Sequence, residues 1–305
     1  MTTTIASPDK EHENPRLGSV GLRFRSILVA TDCSPASEIA VRLAARLAKE
    51  SHARLYVLHS ILPELYGVDI RGAVPEFVLT DLKNARENLH KYVEHIPDLR
   101  TVKHKEIAFL GSAIEAIQSA GEANGIDLLV LGSHGRHGLA KLTLGSVAEW
   151  AIRRLNYPVL VAGPACDKTL RPIRSIVLAT DLTEQTSHSA QYAGCLAQDH
   201  GARLTAMHVL PQAATIEEQK QAELSTLTRL HQMMPIDCED QCTLKVEVKT
   251  GEIAPAILHA AQRNKANLIV LGARHGKPLA DHLPRTKLSA IIRGSHCPVL
   301  VVPAH

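Results

Sequence analysis

The sequence predicts an α/β protein made of two tandem doubly wound parallel sheets of five strands each, and two observations carry that prediction. The first is internal repetition. Ile27-Leu-Val-Ala-Thr-Asp32 recurs as Ile176-Val-Leu-Ala-Thr-Asp181, and Ala53-Arg-Leu55 with His59 recurs as Ala202-Arg-Leu204 with His208, both displaced by 149 positions (181 − 32). Further along, Gly111 matches Gly251, Leu131-Gly132 matches Leu271-Gly272, and Pro158-Val-Leu-Val161 matches Pro298-Val-Leu-Val301, displaced by 140 (251 − 111). The second copy is therefore nine residues shorter between His59 and Gly111 (149 − 140). The second observation is that short apolar runs without alternation, which mark strands buried on both faces of a parallel sheet, take turns with stretches of helical length.

In the first copy this pattern places strands near 26–31, 54–60, 103–108, 127–132 and 158–162, and helices near 35–50, 76–96, 112–123 and 146–155. Parallel strands joined by helices imply right-handed crossovers and a sheet covered on both faces. The second copy repeats the order from about Ser175 to Pro303. The domains expected are then 25–164 and 172–305, joined by a short linker with Pro164 and Pro172 at its ends, after a polar tail over 1–24 that is expected to be disordered. The strands that close each copy, Pro158–Val161 and Pro298–Val301, read as apolar edges, a liability for aggregation unless something covers them.

Composition narrows the function. A chain of 305 residues that is 45% hydrophobic suits two domains with buried cores. Its 34 basic and 31 acidic residues leave a net charge of +3, and only 3% of residues are aromatic, so neither the charge footprint nor the stacking surface of a nucleic-acid binder is present. Six scattered cysteines suit a reducing compartment. Cys238 and Cys242 with His231 hint at zinc but lack a fourth ligand and a recognised spacing. The polar first 25 residues read as neither leader nor anchor, and no apolar run reaches the length of a membrane span, so the expected location is the cytoplasm.

The stretch with chemistry in it runs from Ile126 to Gly163. Asp127 to Leu131 is a buried strand, Gly132 and Gly135 sit where the chain leaves it, and Gly145-Ser146 open a helix, with Ser146 and Glu149 spaced as a capping box. Glycines let backbone amides come close to a phosphate, and a helix amino end adds unpaired donors and a positive dipole. Each amide bond to a charged oxygen is worth about 1.5–3 kcal/mol, so three or four could hold a triphosphate. The alternative is that the glycines only make turns.

Gly132, two residues, Gly135, the nine residues Arg136 to Leu144, then Gly145-Ser146 resembles the nucleotide loop of ATP-binding members of the universal stress protein family. It is neither a P-loop nor a dinucleotide fingerprint. Both halves resemble that family's domain. The resemblance implies a Rossmann-like, adenine nucleotide-binding fold that takes ATP, and because a few amides offset only part of a triphosphate's charge, a Mg²⁺ bridging its phosphates is expected to strengthen binding. It further implies that Thr31 and Asp32 help hold the nucleoside, that Ser60 lies against adenine, and that Gly132, Gly135, Gly145, Ser146 and Val147 meet the phosphates. For Asp32 the alternative is a cap on the following helix. In the family such last strands commonly mediate dimer contacts, which implies that the two halves pack as an internal pseudo-dimer, with a homodimer of chains as a further expectation.

The second copy departs from the motif. Gly132 is kept as Gly272, but Gly135 becomes His275, Gly145 becomes Arg285, Ser146 becomes Thr286 and Val147 becomes Lys287, with Pro284 before them. The expectation is one ATP per chain, in the first half, and a regulatory protein that acts on unidentified protein partners rather than an enzyme. Two alternatives stay open: a slow metal-dependent ATP hydrolase, and an interaction scaffold that binds no nucleotide.

Overall fold

The computed structural model describes residues 24–62, 76–133, 144–183, 187–234, 242–273 and 285–304. In the first half, β1 (Ser26–Ala30), α1 (Glu38–Ser51), β2 (Arg54–Ile61), α2 (Glu76–Glu94), β3 (His104–Leu110), α3 (Ala113–Asn124), β4 (Leu128–Gly132), α4 (Ser146–Arg154) and β5 (Val159–Ala162) follow one another. A short 3-10 turn, Pro97–Thr101, leads into β3. The second half repeats the order with β6 (Ser175–Ala179), α5 (Ser187–His200), β7 (Arg203–Leu210), α6 (Ile216–Met233), β8 (Leu244–Thr250), α7 (Ile253–Arg263), β9 (Leu268–Ala273), α8 (Arg285–Gly294) and β10 (Val299–Pro303). The predicted tail falls on residues outside those described, except for Phe24, which is buried at 3% exposure.

The strand order is β3-β2-β1-β4-β5-β10-β9-β6-β7-β8, so the two five-stranded sheets join into a single sheet of ten. Every pairing is parallel except the central one, where Val299, Leu300 and Val301 of β10 face Val161, Leu160 and Val159 of β5. The two apolar edges therefore cover each other. Consecutive strand residues go to opposite faces, and both faces are core: Ile27 and Val29 pack with α1, while Leu28 packs with α3 and α4. That double burial is why the strands read as unbroken apolar runs.

Two clamps set where the central strands begin. Asp127, just before β4, accepts the backbone N–H groups of Arg25 at 2.7 Å and Ser26 at 3.1 Å. Asn267, at the matching place before β9, accepts those of Arg174 at 2.9 Å and Ser175 at 3.1 Å. The geometry is shared and the charge is not. Burial pushes the Asp127 carboxyl above its ordinary value, a cost that its two backbone donors offset only in part.

The linker is tied down on both sides. Asp167 N–H donates to the His296 carbonyl at 2.8 Å, and Arg46 donates to the Leu170 carbonyl. Next to it, Gly163 lies so close to α8 that a Cβ built there would stand 1.9 Å from the Ile292 carbonyl oxygen. Burial pushes the thiols of Cys166 and Cys297 up to about 12 and about 11, which keeps both protonated.

Gly163→Ala should lower stability to urea by about 3 kcal/mol or more, because a backbone oxygen cannot rotate away from the new methyl group. Gly125→Ala, where a Cβ meets nothing within 4 Å and only the left-handed backbone resists, should cost about 1–2 kcal/mol. Asp127→Asn should keep both clamp bonds on one oxygen, as Asn267 does. A carboxyl raised by folding contributes stability below its ordinary value of 3.8 and loses it as pH rises through the folded value. The variant should therefore melt higher than the parent at pH 7 and no higher below pH 3.8, read by thermal unfolding at both pH values.

Candidate functional site

In a sheet of this kind a ligand sits beyond the carboxyl ends of the strands where the strand order reverses. In the first half that point lies between β1 and β4, which are hydrogen-bonded neighbours although two strands separate them in sequence. Thr31-Asp32 leaves the end of β1 and Gly132-Ser133 leaves the end of β4, with Ala30 paired to Leu131. Ser60, near the end of β2, pairs with Phe109 on the outer strand β3, so it lies on the other side of β1 from Gly132.

Thr31 is a hub of the turn after β1. Its N–H donates to the Leu58 carbonyl at 2.9 Å, its hydroxyl takes the Cys33 N–H at 3.0 Å and lies 2.7 Å from the Ser37 hydroxyl, and its carbonyl is 2.8 Å from His59 Nδ1. Ser37 in turn lies 3.3 Å from the Tyr92 hydroxyl, whose pKa is raised because burial disfavours the phenolate. The network holds the turn with Cys33 in the left-handed region, φ 59°. Asp32, half-buried, accepts the Ser34 N–H at 3.0 Å and its hydroxyl at 2.6 Å. It thus caps the turn and not α1, whose N-cap is Ser37.

The second half repeats this turn almost atom for atom. Thr180 accepts the Leu182 N–H at 3.0 Å, Asp181 accepts the Thr183 N–H at 3.1 Å, His208 Nδ1 lies 2.7 Å from the Thr180 carbonyl, and Leu182 has φ 61°. Shared by both halves, the Thr-Asp turn is part of how the domain folds.

The glycine loop is what sets the first half apart. Gly145 N–H donates to the Ser133 carbonyl at 3.0 Å, so the two ends of the loop meet beside the end of β4. Gly145 has an ordinary φ of −58°, yet a Cβ there would lie 2.8 Å from the same carbonyl oxygen. The glycine is needed for that approach, not for an unusual backbone. Gly145 is also the N-cap of α4, and it has no side chain to cap with. This corrects the expected capping box: Ser146 is the first helical residue, one place too late to accept from the third turn amide, and Glu149 instead pairs with Arg153 at 3.3 Å. The boxes that do form, Ser112 with Glu115 and Thr215 with Glu218, head α3 and α6.

Gly132, Gly145, Ser146 and Val147 are thereby gathered at one end of the sheet with Thr31 and Asp32. Gly135 lies outside the described residues, as do His275, Pro284 and Cys238. The amides of Ser146, Val147 and Ala148 open a helix and have no helical carbonyl to bond, and Ser146 is exposed. In the second half, Arg285 already belongs to α8 where Gly145 stands outside α4. Among the described residues, no group of three His, Cys, Asp or Glu side chains has metal-binding geometry. The roles of Ser37, Tyr92 and Ser133 escaped the sequence reading; the only hint was the repeated His59 and His208, which mark the same turn twice.

Residues 23–163 and again 172–303 match the profile of the Universal stress protein family. Universal stress protein MJ0577 of Methanocaldococcus jannaschii is 30% identical over 160 residues, which are 47% of this chain and 96% of that protein. Universal stress protein YxiE of Bacillus subtilis is 30% identical over 153 residues, 45% of this chain and 98% of that one. The crystal structure of a universal stress protein from Archaeoglobus fulgidus has the same fold, with a TM-score of 0.67 over 92% of this chain and 99% of its own at 19% identity.

Gly145→Ala should separate the loop ends. Hydrogen exchange at the residue-145 amide should speed up, and stability should fall by about 1–3 kcal/mol, as overpacking against a backbone atom costs. An unchanged exchange rate would mean that closure does not need the glycine.

Proposed function

The chain belongs to the universal stress protein family, with two copies of the domain in tandem, and from that premise we propose that its first half binds ATP while its second half is a degenerate partner. The observation that carries the reading is the closure of the loop by Gly145 on Ser133, which leaves the amino end of α4 facing the point where strand order reverses. Backbone amides and the helix dipole are then available to phosphate oxygens, and a micromolar site needs about −8 kcal/mol. In this reading Gly132, Gly135, Gly145, Ser146 and Val147 meet the phosphates. Asp32 and Thr31 hold the nucleoside side, with Ser60 against adenine.

Mg²⁺ bound with the nucleotide would neutralise part of the phosphate charge, and no side chain of this chain is assigned to it. The role proposed is regulatory: occupancy of the loop changes contacts with protein partners. Among the described residues at the end of β1, no base, lysine and arginine set of a phosphoryl-transfer enzyme is assembled, and Asp32 accepts from Ser34 of its own turn. The domain units are 25–164 and 172–305. A cytoplasmic setting accords with the five described cysteines, which are thiols and not disulfides. No helix among the described residues is long and apolar enough to cross a membrane.

Calorimetry with MgATP should give one site per chain. Ser146→Glu puts a carboxylate where the phosphates would sit, yet suits the first turn of a helix, so it should weaken ATP by tenfold or more while leaving thermal stability intact. Arg285→Ala should change ATP affinity little, and chelation of Mg²⁺ should weaken it. Two equivalent sites, or binding untouched by Ser146→Glu, would overturn the assignment to the first half.

A further inference from the structure

Among the described residues the joined sheet ends on β3 at one side and β8 at the other, and the repeat makes these two edges comparable position by position. On β8, Glu247 is 7% exposed and meets Lys245 at 2.7 Å, Lys249 at 3.8 Å and Arg263 of α7. In the first half, 140 positions earlier, Lys105, Ile107, Phe109 and Ala123 stand where Lys245, Glu247, Lys249 and Arg263 stand in the second. A charge pointing inward from an edge strand is one way that natural sheets keep an edge from pairing. By that measure β8 is defended and β3 is not.

The β3 edge is also open along its length. The five residues from Lys105 to Phe109 line a slot of about 780 Å³, with Leu89 and His90 of α2 on one side and Ala116, Ala120 and Ala123 of α3 on the other. Consecutive strand residues go to opposite faces, so a space that touches all five lies along the edge and not over one face. Ile107 and Phe109 point to the α3 face, whose core they join. Glu106 points to the α2 face, where it lies 3.1 Å from His90 Nδ1. Four successive apolar residues, Ile107 to Leu110, are only half-buried at this edge.

We propose that β3 pairs antiparallel with β3 of a second copy of this chain, about a two-fold axis perpendicular to the sheet. The register that pairs all seven residues of β3 is centred on Ile107. It sets Ile107 against its own copy, lays each Lys105 over the facing Phe109 as a cation–π pair made twice, and leaves Glu106 opposite Ala108. No like charges are opposed. Moving the centre to Glu106 or Lys105 would oppose two, which disfavours those registers. The same geometry already closes the seam, where Leu160 and Leu300, at equivalent positions, are the central pair of an antiparallel ladder. With β5 covered by β10 of its own chain, a second copy has to use another edge. Contact of β3 with β8 would run head to tail from copy to copy, and the charges around Glu247 oppose it, whereas β3 on β3 stops at two chains. The proposal uses no residue of the nucleotide loop and does not rest on the ATP reading.

The test is sedimentation equilibrium of the full chain, free of nucleotide, over a series of concentrations. A reversible dimer of about 66 kDa (2 × 33.1) and nothing larger is expected. Ile107→Lys gives β3 an inward charge and opposes two cations at the axis, so it should leave a monomer. Lys105→Glu, at an exposed position away from the core, should raise the dissociation constant at least fivefold by removing both cation–π pairs. Ile107→Cys should cross-link two chains on mild oxidation beyond the level of the parent, and Ala108→Cys, which faces Glu106 in this register, should not. Lys105→Glu and the two cysteine variants decide the matter even if Ile107→Lys fails to fold. A 33.1 kDa monomer at every concentration, growth beyond two chains, cross-linking of Ala108→Cys in place of Ile107→Cys, or a dimer indifferent to Lys105→Glu would each overturn the proposal.

Discussion

The pairing of β5 with β10 is the interaction on which the rest of the architecture depends. Three residues on each side form an antiparallel ladder inside an otherwise parallel sheet, and they turn two sheets, each with an apolar edge, into one without a central edge. Because the ladder is antiparallel, the strands of the two halves run in opposite directions. The carboxyl ends of β1 and β4 and those of β6 and β9 therefore lie at opposite rims of the sheet. Among the described residues, the halves also touch through Gly163 with Ile292 and through Glu50 of α1 with His200 of α5.

Set side by side, the two halves separate what the fold requires from what a loop adds. The Thr-Asp turn with its left-handed residue, the histidine beneath it and the strand-start clamp occur in both. Each ends on a backbone group, within the turn itself or between neighbouring strands of the same half, so they belong to the domain and not to one copy of it. The close approach of Gly145 to Ser133 belongs to the first half alone in sequence, since Arg285 takes the glycine's place in the second. A difference confined to the loop after the fourth strand is what one expects when a fold is kept and its binding function diverges.

Much of this was legible in the sequence, for physical reasons. Strands buried on both faces must be unbroken apolar runs, and the repeat of Ile27 to Asp32 as Ile176 to Asp181 fixed two copies before any coordinates. The start of α4 was misread because Ser146 and Glu149 have the spacing of a cap, while the true N-cap is a glycine chosen for a tertiary contact that no local pattern encodes. The open pocket where β5 meets β10, floored by leucines such as Leu160 and Leu300, was not legible at all. Its leucines are ordinary core residues in each half, and only the pairing of Leu160 with Leu300, about 140 positions apart, brings them to one place.

That long separation has a cost in time. As the chain is synthesised, the first half is complete once β5 and its following residues have emerged, yet the strand that covers β5 is made about 140 positions later. At roughly 5–20 residues per second, the intervening stretch takes on the order of ten to thirty seconds. Throughout that interval the nascent protein presents an unpaired apolar edge to its surroundings. The strand's length of four residues keeps that edge short, and Pro158, immediately before it, has no backbone N–H to offer a stray strand. A shape that is symmetric when finished is thus vulnerable on one side only while it is being made.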